Sequence, residues 1–170
     1  FGGIPSSNKE VELVEKFRLS IIISAFISKA FDSIEHEFIW QALESFGFGK
    51  QYISWIKLIF RNRQACITLC GHQTRRFTLG RGIPQGDCIS GYIFLCAIEY
   101  LAIRMRNAPG LQKIEINGRT HVCQLYADDM TCILLRKKQN ITEFMRIMEA
   151  YRLASGPVSY THLTLPTKRI

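Results

Sequence analysis

Two adjacent aspartates, Asp128 and Asp129, lie between two apolar runs in the segment QLYADDMTCILL (124–135). At about 4 Å and an effective dielectric constant near 20, two carboxylates repel each other by roughly 4 kcal/mol. A surface turn tolerates this repulsion with water, whereas a half-buried turn tolerates it only with cations. The pair therefore indicates either a solvated turn or a metal site.

Two further segments could belong to the same site. SAFISKAFDS (24–33) overlaps a β-branched, aromatic-rich run and is typical of a buried strand that leads into a helix. RGIPQGDCISGYIF (81–94) is a loop that contains Gly82 and Gly86 and that opens a long apolar helix. Taken singly, each segment is weak evidence for a functional site. A glycine loop before a helix, for example, is most often only a turn.

Charge and cysteine usage limit the class of protein. The net charge is +8 and the pI about 9.4, which favours an anionic partner such as nucleic acid over a neutral one. The six cysteines lack zinc-site spacing and several lie in apolar runs, so we expect a reduced, intracellular protein of the nucleus or cytoplasm. The sequence contains no run of about 18 apolar residues, so it predicts no membrane span.

The predicted elements give an α+β fold with helices packed on an antiparallel sheet. The start lacks an initiator Met, which suggests a fragment. The expected elements, in chain order, are a strand at 21–27, helices at 33–46 and 50–60, a hairpin around GHQT (71–74), a helix at 89–106, a strand at KIEIN (113–117), a hairpin with the acids at its tip, and a helix at 140–154. Asp32 and Glu35 fit a capping box, and Asp87 fits a helix cap.

The last segment, GPVSYTHLTLPTKRI (156–170), differs from the rest of the chain. It has no helical or strand period, and it resembles translated sequencing-adapter text. We therefore divide the chain into a domain at 1–156 and an unrelated tail at 157–170, which we expect to pack poorly on the core. Without Lys168 and Arg169 the net charge falls from +8 to +6, so the basic bias remains.

Together, in this order and spacing, the three segments resemble the reverse-transcriptase domain of non-LTR (LINE-type) retrotransposons. The resemblance covers about residues 20–156. It implies the palm of a right-hand polymerase with part of the fingers and without the thumb. The matching positions are 29–33, then Arg81, Gly82, Gln85, Gly86, Ser90, Tyr92 and Phe94, then 126–129.

The resemblance also implies roles for individual residues and partners. Asp128 would be the principal ligand of two Mg²⁺ ions, with Asp129 beside it. Phe31 would lie under the sugar of the incoming nucleotide, and Gln85 and Gly86 would border nucleotide and template. Arg81 would offset phosphate charge. The partners would be an RNA template, a DNA primer and deoxynucleotides, and the activity RNA-directed DNA polymerisation.

One departure from the family pattern concerns the chemistry itself. The family places a third acid on the first strand, three residues before the Lys of K-A-F-D. Counting back from Lys29 leads to Phe26, and Asp32 matches a non-catalytic family position. We therefore predict that Phe26 lies beside the acidic turn, and that this copy is inactive.

Two alternatives to a reverse transcriptase remain from the residues. One is a non-enzymatic remnant that binds nucleic acid through its positive charge. The other is a related palm enzyme such as a nucleotide cyclase, which also places acids on a hairpin, although the RGIPQG loop before a long helix argues against it.

Overall fold

The computed structural model describes residues 19–116, 118–156 and 159–164. Along these residues the strands are β1 (Ser20–Ser28), β2 (Gln64–Ala65), β3 (Thr68–Leu69), β4 (His72–Gln73), β5 (Phe77–Thr78), β6 (Ile114–Ile116), β7 (Arg119–His121), β8 (Cys123–Tyr126), β9 (Asp129–Leu135) and β10 (Ser159–Thr164). The helices are α1 (Ala30–Ser33), α2 (His36–Ser45), α3 (Lys50–Phe60), α4 (Ser90–Asn107) and α5 (Lys138–Ser155). Helices and antiparallel strands occur together, which confirms the α+β prediction.

The chain divides into two compact units, and the long helices α4 and α5 contribute residues to both. The first unit takes the residues up to 28, 101–150 and those from 160, and the second takes 29–100 and 151–159.

The first unit is built on a four-stranded sheet in the order β10-β1-β9-β8, with β1–β9 and β9–β8 antiparallel. Along β1 the apolar residues Ile23, Ala25 and Ile27 are buried, whereas Ile22 and Ser24 are exposed. This alternation gives the sheet one buried and one open face, as is common for antiparallel sheets. Residues of α4 and α5 complete the core of this unit, namely Leu101, Ala102, Met105, Phe144, Ile147 and Met148.

The second unit has a helical core. The predicted helix at 50–60 is confirmed as α3, which buries Ile53, Ile56 and Phe60 and leaves Ile59 exposed. Two aromatic contacts add to this core. Trp40 of α2 packs edge-on against Phe60 of α3, and Phe38 of α2 packs edge-on against Tyr100 of α4.

The predicted helix at 33–46 is wrong at its start. The chain forms the short helix α1, leaves helical geometry at Ile34 and Glu35, and begins α2 at His36. The break has a long-range cause, because the backbone of Glu35 forms a β-bridge with Arg81 and its N–H donates to the carbonyl of Ser155. No side-chain hydrogen bond caps α2, so the expected Asp32–Glu35 capping box is absent.

The hairpin predicted around GHQT is confirmed, with its turn shifted towards the N-terminus. Two short ladders, β2–β5 and β3–β4, enclose a turn at Cys70 and Gly71, where both residues have positive φ. The strand at KIEIN is β6, which pairs with β7. The helices predicted at 89–106 and 140–154 are α4 and α5.

The tail contains one element that the sequence does not predict. Ser159–Thr164 forms β10, the edge strand next to β1 in the sheet of the first unit. The expectation of an irregular backbone is therefore wrong for these residues. The packing of their side chains lies outside the described residues, so poor packing of the tail remains a prediction.

Candidate active site

The two acids lie at the tip of the hairpin formed by β8 and β9. Tyr126 pairs with Asp129, so the turn consists of Ala127 and Asp128, and the predicted hairpin with the acids at its tip is confirmed. Ala127 has φ of 52°, a left-handed conformation that hairpin turns of two residues require and that glycine more often supplies. For a residue with a Cβ this costs roughly 1–2 kcal/mol. Backbone strain of this kind is concentrated at functional sites.

The first strand runs directly beside this turn. In the register of β1 and β9, Phe26 pairs with Asp129, and the N–H of Ile27 donates to the carbonyl of Asp128 at 3.0 Å. Neighbouring strands lie about 4.8 Å apart. The prediction that position 26 lies beside the acids is therefore confirmed for the backbone, and the side chain of Phe26 lies outside the described residues.

Position 26 and Asp129 occupy the open face of the sheet. The two positions pair directly, and cross-strand partners point to the same face. Asp129 is exposed and Asp128 is half-buried, while Met130, which follows in β9, is buried on the other face. Asp129 therefore faces solvent, where a phosphate and its counterions could approach it.

The donor set at the hairpin fits one Mg²⁺ ion. Two carboxylates, with water and phosphate oxygens, are a usual set for this cation. Within the described residues no group of three His, Cys, Asp or Glu side chains comes together to hold a metal. A two-ion site with a ligand from the first strand therefore does not fit this sequence, because position 26 is Phe.

The RGIPQG loop lies in the second unit and is fastened to residues 31–36. Gly82 N–H donates to the carbonyl of Ile34 at 2.8 Å, and Ile83 N–H donates to the carbonyl of Phe31. Arg81 lies 3.9 Å from the carboxylate of Glu35, with both side chains about half exposed, so this ion pair contributes little. Backbone pairing, and not charge, holds the loop in place.

His36 is a part of this loop's support that the sequence analysis missed. Its Nε2 lies 3.0 Å from the carbonyl oxygen of Gly82, and its ring packs edge-on against Phe60 at 5.1 Å between centroids. A single histidine at a helix start has no spacing signal, and its partner lies 46 residues away.

The other candidate residues of the second unit have the following surroundings. Phe31 stacks on Phe94 at 4.2 Å between ring centroids. Gln85 and Gly86 are exposed in the turn before α4, where Gly86 has φ of +89°. Asp87 accepts the N–H of Ile89 through Oδ1 at 3.3 Å, in the turn that precedes Ser90, the first residue of α4. Its role as a helix cap stays a prediction. The structure thus groups position 26 with Asp128 and Asp129 in the first unit, and Phe31, Arg81, Gln85 and Gly86 in the second.

We expect Gly82→Ala to destabilise the protein by about 3 kcal/mol, against about 1 kcal/mol for Gly71→Ala. Both glycines have left-handed φ, +84° and +80°, so both variants carry the same backbone strain. Only at Gly82 would a Cβ meet another group, the carbonyl oxygen of Asp32 at 2.8 Å. Urea unfolding of the two variants measures the difference. Equal losses would show that the close approach of Gly82 to Asp32 is unimportant.

No helix of the described residues is long and apolar enough to cross a bilayer.

Comparison with known proteins identifies the family. Residues 7–156 match the family described as reverse transcriptase (RNA-dependent DNA polymerase). The Xenopus laevis "Transposon TX1 uncharacterized 149 kDa protein" is 28% identical over 140 residues, which are 79% of this chain and 10% of that protein. The Drosophila melanogaster Pol polyprotein from retrotransposable element R2DM is 25% identical over 114 residues, 67% of this chain and 10% of that protein.

A third relative agrees with these two. The Pol polyprotein from retrotransposable element R2 of Popillia japonica is 29% identical over 91 residues, 53% of this chain and 13% of that protein. The chain thus spans about a tenth of the length of the curated relatives it matches. Its YADD hairpin, its first strand and its RGIPQG loop lie within the matched residues, and the chain belongs to the reverse transcriptase (RNA-dependent DNA polymerase) family, in the branch carried by non-LTR retrotransposons.

Proposed function

We propose that residues 19–156 are the palm and the edge of the fingers of a right-hand polymerase that copies RNA into DNA. The observation that carries this proposal is the register of the first unit, in which the first strand pairs with the strand that begins at Asp129. This arrangement brings position 26 and two hairpin acids together at one end of a sheet. Family membership makes nucleotidyl transfer the reaction for which such an arrangement is suited.

In this proposal each candidate residue has one task. Asp128 and Asp129 hold Mg²⁺, which when bound supplies charge stabilisation to the reacting phosphate. Gln85 and Gly86 border the nucleotide and template, and the missing side chain of Gly86 permits close approach of the backbone. Phe31, held by its stacking on Phe94, lies under the sugar of the nucleotide, and Arg81 offsets phosphate charge.

The partners in this proposal are an RNA template, a DNA primer and deoxynucleotides. The described residues offer exposed positive charge for such partners, since Arg61, Arg75, Arg76 and Arg81 all lie at the surface of the second unit. Neutralising phosphates with such residues releases counterions, so binding should weaken steeply with salt.

We further propose that this copy binds nucleic acid without extending it. Phe26 stands where the intact site would have a carboxylate, so the site cannot hold its full set of cations. Nucleic-acid binding without polymerisation is therefore the second candidate function. The net charge of +8 favours such binding.

We expect the chain to bind a DNA-primed RNA template at low salt and to show no primer extension with Mg²⁺. Affinity should fall at least about tenfold between 50 and 200 mM salt. Replacing both Arg75 and Arg76 by Glu should weaken binding and flatten the salt dependence, because two exposed cations are lost. Fluorescence anisotropy and gel-resolved primer extension on the same samples measure both properties. Extension by the unaltered chain would contradict the proposal for Phe26, and salt-independent binding would contradict the nucleic-acid proposal.

We propose that residues 157–170 are not part of the domain, since the family match ends at residue 156. A chain that stops at Gly156 is then expected to keep its urea midpoint, with a change in the free energy of unfolding within about 0.5 kcal/mol. A larger loss would mean that β10, at the edge of the sheet, is a stabilising strand of the domain.

A further inference from the structure

Two cysteines face each other across the strands that carry the acidic turn. Cys123 of β8 pairs with Cys132 of β9, three residue pairs below the pair Tyr126 and Asp129. The N–H of Ile133 donates to the carbonyl of Val122 at 2.9 Å, so the next pair of the ladder, 123 with 132, is a non-hydrogen-bonded pair. In such pairs the two Cα atoms are about 4.5 Å apart, which lies within the range found for disulfides.

The surroundings of the two thiols favour their direct contact. Cys132 is fully buried and its Sγ lies 3.7 Å from the Sδ of Met105, while Cys123 is half-buried. A hydrogen bond to the Cys123 side chain, followed by burial, raises the pKa of the Cys132 thiol. Cys132 therefore stays protonated and shielded, and Cys123 is the sulfur that a reagent from solvent would reach first.

We propose that Cys123 and Cys132 are a site of reversible oxidation, at which a cross-strand disulfide fastens the hairpin that carries Asp128 and Asp129. The oxidant is a low-molecular-weight disulfide such as glutathione disulfide. The thiolate of Cys123 attacks it and releases one glutathione thiolate. Cys132 then passes its proton to the glutathione thiolate released in the first step, and its sulfur attacks the Cys123 sulfur of the mixed disulfide and releases the second glutathione. The protein loses two protons and two electrons, and one glutathione disulfide becomes two glutathione thiols.

The exposed cysteines of the second unit lack this geometry. Cys66 and Cys70 are both exposed, and they flank the strand β3, in which Thr68 pairs with Gln73 and Leu69 with His72. Neither cysteine faces the other in a strand register. They are therefore a control pair with easier access to solvent and without preorganised contact. The proposal depends on strand register alone, so its test is independent of polymerase activity.

The position of the trypsin sites makes the test direct. Cleavage after Arg119 and Arg136 gives one peptide, 120–136, that contains Cys123 and Cys132 and no other cysteine. Cleavage after Arg63 and Arg75 gives a second peptide, 64–75, that contains the control pair Cys66 and Cys70. The full reduced chain is incubated in glutathione buffers of increasing disulfide fraction, quenched with acid, denatured, labelled with N-ethylmaleimide and digested. Mass spectrometry then separates labelled, glutathionylated and internally bridged forms of each peptide.

We expect the internal bridge to form in peptide 120–136 at a lower ratio of glutathione disulfide to glutathione than in peptide 64–75. The difference should be at least about tenfold, because folding holds Cys123 and Cys132 together. The same experiment in guanidinium should remove this preference, since the shorter 66–70 loop then closes at least as readily. Cys123→Ser should abolish the bridge and leave one label on peptide 120–136. Glutathione adducts without a bridge on peptide 120–136, or equal ratios in buffer and in guanidinium, would overturn the proposal.

Discussion

Asp128→Asn is expected to abolish primer extension in an intact enzyme of the family that carries residues 19–156 of this chain with aspartate at position 26. Asn keeps the size of the side chain and removes its charge, so the hairpin keeps its shape while cation binding is lost. Metal stabilisation of developing charge is worth several kcal/mol, and about 4 kcal/mol corresponds to roughly a thousandfold in rate. Single-nucleotide incorporation under saturating substrate measures the change.

Glu115→Gln is a suitable control for this variant. Glu115 is an exposed acid in β6 of the same unit, and its replacement removes one negative charge without altering Asp128 or Asp129. Its rate should remain within about twofold of the parent, because exposed charges away from the reacting groups contribute little. If Asp128→Asn retained more than a tenth of the parent rate with an unchanged circular dichroism spectrum, the hairpin acids would not be the metal ligands.

The local periodicity of the sequence predicts some elements correctly. The helix α3 is an example, because Ile53, Ile56 and Phe60 are spaced at helical intervals and all three are buried. In such segments the pattern of burial follows from the residues themselves. The sequence also predicts β1 from its β-branched, aromatic-rich run, and the acidic turn from the apolar runs on both sides of its acids.

Other features depend on partners that are remote along the chain. The helix predicted at 33–46 is interrupted because Glu35 pairs with Arg81 and binds the carbonyl of Ser155. His36 supports Gly82 from 46 residues away, which no local pattern indicates. The edge strand β10 pairs with β1 although its residues have no alternation that predicts a strand.

The candidate site itself was predictable only through the combination of three motifs. Asp128 and Asp129 alone are more typical of a solvated turn than of a metal site. The spacing to Lys29 identifies position 26 as the place of the family's third acid. The register of β1 with β9 then places this position opposite Asp129. The structure adds a physical reason why this position matters, since it pairs with Asp129 across strands β1 and β9.

Phe26→Asp is therefore expected to raise primer extension by about a thousandfold in the grafted enzyme, because the change restores a carboxylate at the position that pairs with Asp129. Ser24→Asp provides the matched control. Ser24 lies on the same open face of β1, two residues further from the turn, and pairs with Thr131. A carboxylate at position 24 has the same charge as one at position 26 and does not reach the acids at the turn.

The measurement that tests the central claim most directly is single-nucleotide incorporation, with Mg²⁺, by three grafted enzymes that differ only in β1. They carry the unaltered strand, Phe26→Asp, or Ser24→Asp with Phe26 retained. We expect measurable incorporation only with Phe26→Asp, and its loss again when Asp128→Asn is added. Equal incorporation with Phe or Asp at position 26, or recovery with Ser24→Asp, would contradict the claim that position 26 is the site of the missing metal ligand.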